Sequence, residues 1–140
     1  MSSAQRKATL EDLHAIASGM PHAVRGQGGR GQEIYWVGQK SFIILGLPKV
    51  DAFDPATGER LRDVIVFRVP SEGDKAALLQ DGSQPYFTTP HFDRGMSVLI
   101  RASRLGELSR AELTELIQEA WLSCASARRA AAWLRHHELR

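Results

Sequence analysis

A serine and a glutamate three residues apart, Ser109 and Glu112, open a run whose apolar residues recur at helical spacing: Leu113, Leu116, Ile117, Ala120, Trp121 and Cys124. Serine at the N-cap and glutamate at the third helical position satisfy each other's orphan amides, so the pattern predicts a long helix with one stripe to bury. Such a stripe needs an apolar layer opposite it, and the chain supplies strands. Glu33 to Val37 and Lys40 to Leu47 read as two strands joined at Gly38-Gln39, where glycine in the first central position suits a type II′ turn. In the second, Phe42 and Ile44 fall on one face and Ile43, Leu45 and Leu47 on the other, as in a central or covered strand. Leu61 to Val69, rich in Val, Ile and Phe, and Met96 to Arg101 read as further strands.

The remaining segments are placed around this pairing. Met1 to Ala8 is polar and expected to be a disordered tail. Thr9 reads as the N-cap of a first helix with Leu10, Leu13, Ile16, Ala17 and Met20 on one stripe, ended by Gly19 and Pro21. His14 falls off that stripe and is expected at the surface. His22 to Gln32 reads as a connector. Its Gly26, Gly28 and Gly31 match G-x-G-x-x-G, but a helix precedes and a strand follows, the reverse of a dinucleotide site. An Arg-Gly contact to nucleic-acid backbone is the functional alternative there. Ser71 with Asp74 predicts a short helix packing through Ala76, Ala77, Leu78 and Leu79. Pro85 and Pro90 then hold Tyr86 and Phe87 extended, and Asp93-Arg94-Gly95 turns the chain into the last strand. After a break at Ser123 to Ser126, Ala127 to Leu139 predicts a final helix. Its Arg128, Arg129, Arg135, His136 and His137 suit either a solvated face or an anionic partner.

At 140 residues the chain is expected to form a single domain, 1–140. It has 14 Arg and 4 Lys, but a net charge of only +2 gives no field strong enough to name a partner. The single Cys124 excludes an internal disulfide, and no apolar run is long enough to span a bilayer. With no apolar segment behind Met1 to Leu10, a cytoplasmic location without membrane attachment is expected. No spacing of metal ligands is present, and no nucleophile, base and oxyanion donor can be assembled, so neither metal, cofactor nor catalytic residue is expected. Asp51, Asp54 and Glu59 lack calcium-loop spacing. Cys124, on the buried stripe, reads as a packing residue.

Three stretches carry a family resemblance. Ile34-Tyr-Trp-Val-Gly-Gln-Lys40-Ser-Phe-Ile-Ile-Leu45 is similar to the aromatic-x-Val-x-x-Lys-x-Phe hairpin of the MmcQ/YjbR family; Pro85-Tyr-Phe-Thr-Thr-Pro90 resembles its aromatic turn, and Glu112 to Trp121 its penultimate helix. The resemblance implies an α+β two-layer sandwich. Its antiparallel sheet has four to five strands packed by N-terminal and C-terminal helices, akin to secretion-chaperone-like folds. It also implies DNA binding, with Lys40, Tyr86, Phe87 and Pro90 as the positions carried across. Met96 stands where the family usually opens the last strand with Trp.

On that basis the chain is expected to bind double-stranded DNA without catalysis. Lys40, Arg94, Arg101 and Arg104 are expected to form one phosphate-contacting patch, joined by Arg25 and Arg30. The alternative is a protein- or small-ligand-binding module, with Tyr86, Phe87 and His91 as ligand candidates. It would use an apolar outer sheet face around Phe42, Ile44 and Phe67, open to a protein partner or a second copy.

Overall fold

A computed structural model describes residues 5–46, 53–54, 56–90, 92 and 95–138. The elements run α1 (Leu10–Ser18), β1 (Ala23–Gln27), β2 (Glu33–Val37), β3 (Lys40–Gly46), β4 (Val64–Arg68), α2 (Glu72–Gln80), β5 (Ser97–Arg101), α3 (Arg110–Cys124) and α4 (Ala127–Glu138). The five strands form one antiparallel sheet in sequence order, with helices from both ends of the chain on one face. This is the α+β sandwich that the family resemblance implies.

The predicted starts of α1 and α3 are built as capping boxes. Thr9 accepts from the Asp12 amide while Asp12 accepts from the Thr9 amide, and Ser109 and Glu112 exchange the same pair of bonds. Asp12 does more than cap. Its carboxylate takes both terminal nitrogens of Arg6 at 2.6 and 2.7 Å and lies 3.5 Å from Arg110, and the bonds from Arg6, with those from Thr9 assisting, hold it well below the usual carboxylate range against the effect of burial. The expected tail is therefore corrected over residues 6–8. Ala8 donates to the Leu108 carbonyl, Arg110 donates to the Arg6 carbonyl, and Ala8 is buried. These three residues find backbone partners at the start of α3, which composition does not reveal.

The connector is corrected as well. Residues 23–27 form an edge strand, Arg25 opposite Tyr35, and residues 28–32 close a hairpin in which Gly28 donates to the Gln32 carbonyl. The glycines serve this hairpin. A Cβ at Gly26 would lie 2.8 Å from the Trp36 ring, and Gly31 has φ +82°.

Between β2 and β3 the pairing passes from Trp36–Ser41 to Tyr35–Ile43, leaving Phe42 as an inserted residue. The bulge turns Phe42 to the helix side, so Phe42, Ile43, Leu45 and Phe67 all enter the core under α3. The expected outer apolar surface around Phe42, Ile44 and Phe67 is thus corrected, since only Ile44 lies outside. There it joins Leu61, Val64, Val66, Leu99, Phe87 and Phe92 in a second cluster. In α2, Ala76 and Ala77 are exposed and Lys75 is buried instead. Its ammonium donates to the carbonyls of Phe92 at 2.6 Å and Gly95 at 2.7 Å, fastening the turn ahead of β5.

Trp121 lies at the centre of the helix layer with no exposed surface. Its indole N–H donates to the Pro21 carbonyl at 2.9 Å, and its ring faces Trp133 of α4 at 6.1 Å. Trp121→Phe removes the donor and part of the ring. We expect a loss of about 1–3 kcal/mol in urea unfolding with faster amide exchange in α4; a loss below about 0.5 kcal/mol would contradict this role.

Candidate nucleic-acid interface

The predicted basic residues separate along the strands. Arg101, at the end of β5, pairs with Val64, which in turn pairs with Gly46 at the end of β3, whereas Lys40 begins β3. A strand of this length places the two roughly 20 Å apart. Arg94 and His91 lie outside the described residues. The structure therefore does not gather the described members of the expected patch at one place.

At the Arg101 end, Arg101 and Arg104 are matched, whereas Arg30 and Arg62 make no ion pair with a described residue. Arg101 reaches Asp54 through Nη1 and Asp63 through Nε, each at 3.1 Å. Asp54 is held below its ordinary pKa by the Ala56 amide, with Arg101 assisting. Burial pulls Asp63 upward, but bonds from Ser103 and Arg101 outweigh it and lower the group. Arg104 grips Glu107 in a bidentate pair at 2.6 and 2.8 Å. Arg25 binds Glu33 and lies 5.8 Å above the Tyr35 ring. Exposed pairs of this kind add little stability, but a phosphate arriving here meets carboxylates beside every one of these three guanidiniums. Arg30, on the β1–β2 turn, makes no ion pair with a described residue. With His14, Glu33, Arg62 and Asp63 it lines a cavity of about 440 Å³.

The opposite end is unmatched. Lys40 follows the Gly38-Gln39 turn, Arg68 ends β4, and both act electrostatically on the Cys124 thiol at the end of α3. Arg129 of α4 comes within 3.9 Å of where a Cβ on Gly38 would stand, and Arg128 is exposed beside it. None of these four makes an ion pair with a described residue. Cys124 itself is buried, donates to the Ser41 carbonyl at 3.5 Å, and is pushed upward by burial, so it is a packing residue and no thiolate.

The aromatic turn is elsewhere and structural. Phe87 exchanges two backbone bonds of 2.9 Å with Leu99, extending the sheet past β5, and its side chain joins the outer cluster. Tyr86 packs against the main core and lines a cavity of about 400 Å³ between α2 and α3. Burial first, then Glu112 and Glu115, pushes its hydroxyl up to about 12. Asp74, Asp81 and Glu119 line the same cleft, which is a poor place for a nucleic acid. Among the described residues no group of His, Cys, Asp and Glu is arranged to hold a metal, and no helix is long and apolar enough to cross a membrane.

His14 corrects the sequence reading. It is half-buried, its Nδ1 shares a 2.5 Å hydrogen bond with the hydroxyl of the fully buried Tyr35, and it faces the 440 Å³ cavity. Only the tertiary fold brings Tyr35 to it, because periodicity places His14 just off the apolar stripe. The nearness of Arg129 to the hairpin likewise depends on where α4 docks, so sequence spacing could not show it.

Comparison with known proteins gives two findings. A profile of the YjbR family matches residues 18–123. Uncharacterised proteins of Mycobacterium bovis and of two strains of Mycobacterium tuberculosis are 46% identical over 72 residues, which is 51% of this chain and 54% of each of them. The chain thus spans about half the length of the curated relatives it matches.

Burial, then the Arg25 charge, holds the His14 imidazole below its ordinary pKa, with Glu33 pulling the other way. A base whose folded pKa is depressed stabilises fully above the unfolded value of about 6.5 and loses that contribution as pH falls through the folded value. Urea midpoints should therefore fall on acidification from about pH 7.5 to 5, and His14→Gln should flatten that slope. Equal slopes would contradict the assignment.

Proposed function

The chain belongs to the YjbR family, and from that premise we propose that it binds double-stranded DNA without catalysis, through the phosphate backbone and the unmatched basic end of the sheet. The observation that carries this reading is the contrast between this cluster and the three ion-paired guanidiniums of the expected patch. Lys40, Arg68, Arg128 and Arg129 lie together on a hairpin turn, a strand end and a helix start with no carboxylate paired to them among the described residues. Arg25 and Arg104 each have one, and Arg101 has two. Phosphate binding gains most where a cation has no internal partner to give up and releases counterions from the duplex. Such contacts fix position without reading bases, so little sequence preference goes with this reading. A cytoplasmic location, which keeps Cys124 reduced, goes with it too.

A second reading rests on one feature. β1 is an edge strand whose outer side presents Val24, 59% exposed, beside the partly exposed Trp36. A protein partner or a second copy could extend the sheet there. It predicts concentration-dependent mass in sedimentation, which Val24→Lys abolishes.

For the DNA reading, fluorescence anisotropy of a labelled duplex should give a log–log salt slope of about −3.6 for four phosphate contacts, a loss of about 10²-fold between about 50 and 200 mM. Lys40→Glu and Arg129→Glu should each weaken binding about tenfold or more and flatten the slope, and Arg104→Glu should change it little. A flat salt response, or equal losses in all three variants, would contradict it.

A further inference from the structure

A groove of about 860 Å³ lies between the end of α1 with the turn that follows it and the exposed flank of α4. Its composition is one-sided. Arg128, Arg129, His22, His136 and His137 line it together with Gln118 and Ser126, and no carboxylate among the described residues does. In a chain with 16 acidic residues against 18 basic ones, a cavity whose described lining holds two guanidiniums and no carboxylate favours anions electrostatically.

Backbone geometry points the same way. His22 is the one described non-glycine residue in the left-handed region, at φ 60°. A branched or ringed side chain there carries a conformational cost that persists only where the surroundings impose it, and such residues gather at binding sites. Here the surroundings are identifiable: the Trp121 indole holds the Pro21 carbonyl at 2.9 Å, directly before His22. On the opposite wall α4 begins. Ser126 Oγ accepts from the Arg129 amide at 3.2 Å, and the preceding amides of that first turn have no partner within the helix. A twelve-residue helix whose first turn lines a cationic groove adds its dipole to the side-chain charge.

The groove is too large for a bare anion and partly apolar. Ile16, Met20 and Pro21 form one side, and the Trp133 ring, stacked on His137 at 3.7 Å, closes the other. We propose that it is a binding site for a phosphomonoester carried on an aromatic or apolar body, of nucleotide size. Arg128, Arg129 and the α4 turn take the phosphate, His22 closes over it, and the body lies against Ile16 and Met20. This goes beyond backbone binding of a duplex, because it requires a discrete ligand with a terminal phosphate. That phosphate belongs either to a free nucleotide or to the 5′ end of a strand.

Isothermal titration of the full chain, with no duplex present, tests the site independently of the DNA reading. Adenosine 5′-monophosphate should bind one to one, and at least about tenfold tighter than either adenosine or inorganic phosphate, since each lacks one half of the recognised group. His22→Gly, which relieves the backbone while removing the ring, and Arg128→Gln change exposed side chains. Each should weaken the nucleotide about fivefold or more with the far-ultraviolet circular dichroism spectrum unchanged. A 5′-phosphorylated oligonucleotide that outcompetes the mononucleotide supports the site and assigns it to strand ends; the converse supports it and assigns it to free nucleotides. Absence of nucleotide binding at millimolar concentration, equal affinity for adenosine, affinity for inorganic phosphate matching the nucleotide, or affinity unchanged in both variants would overturn the proposal.

Discussion

The bond from the Trp121 indole to the Pro21 carbonyl ties together parts of the chain 100 residues apart. A tryptophan buried to this degree removes on the order of 200 Å² from water, worth on the order of 5 kcal/mol before entropy is counted. The same ring receives Trp133, the residue through which α4 packs on the core, and none of the described side chains of α4 is itself fully buried. One side chain therefore sets three positions: the turn after α1, the end of α3 and the flank of α4. The groove between α1 and α4 exists because that indole holds both of its walls.

Charge is sorted on this frame in a way that a net value of +2 conceals. Guanidiniums at the β5 end are engaged by Asp54, Asp63 and Glu107, and carboxylates crowd the cleft beside Tyr86. The hairpin turn between β2 and β3 and the start of α4 keep cations without such partners among the described residues. A polyanion is drawn by the local field, which falls away within about 10 Å at moderate salt. Cations one strand length from each other act as separate sites.

Local chemistry was legible in the residues and tertiary chemistry was not. Ser109 with Glu112, and Thr9 with the acidic turn behind it, announce their helices because the partners lie within one turn. Gly38-Gln39 announces its hairpin for the same reason. The Gly-rich stretch concealed β1, because a strand that must admit the Trp36 ring against Gly26 loses the branched residues that mark strands. Phe42 was assigned to the wrong face because one inserted residue reverses the alternation, and nothing local records the insertion. The Arg101 partners stand 38 and 47 residues away, so its neutralisation appears only once the loop before β4 has folded back. The family likeness read from the hairpin, the aromatic turn and the penultimate helix holds, because those motifs describe the scaffold.

The central claim is that the anionic partner meets the Lys40 and Arg129 end of the molecule and not the Arg101 end. Amide chemical-shift mapping with a short duplex at low salt tests it most directly. The account predicts perturbations at residues 38–41, 68 and 126–130, with residues 101–107 and the 28–32 turn unmoved. Perturbations concentrated on Arg101, Arg104 and Arg30 would contradict it.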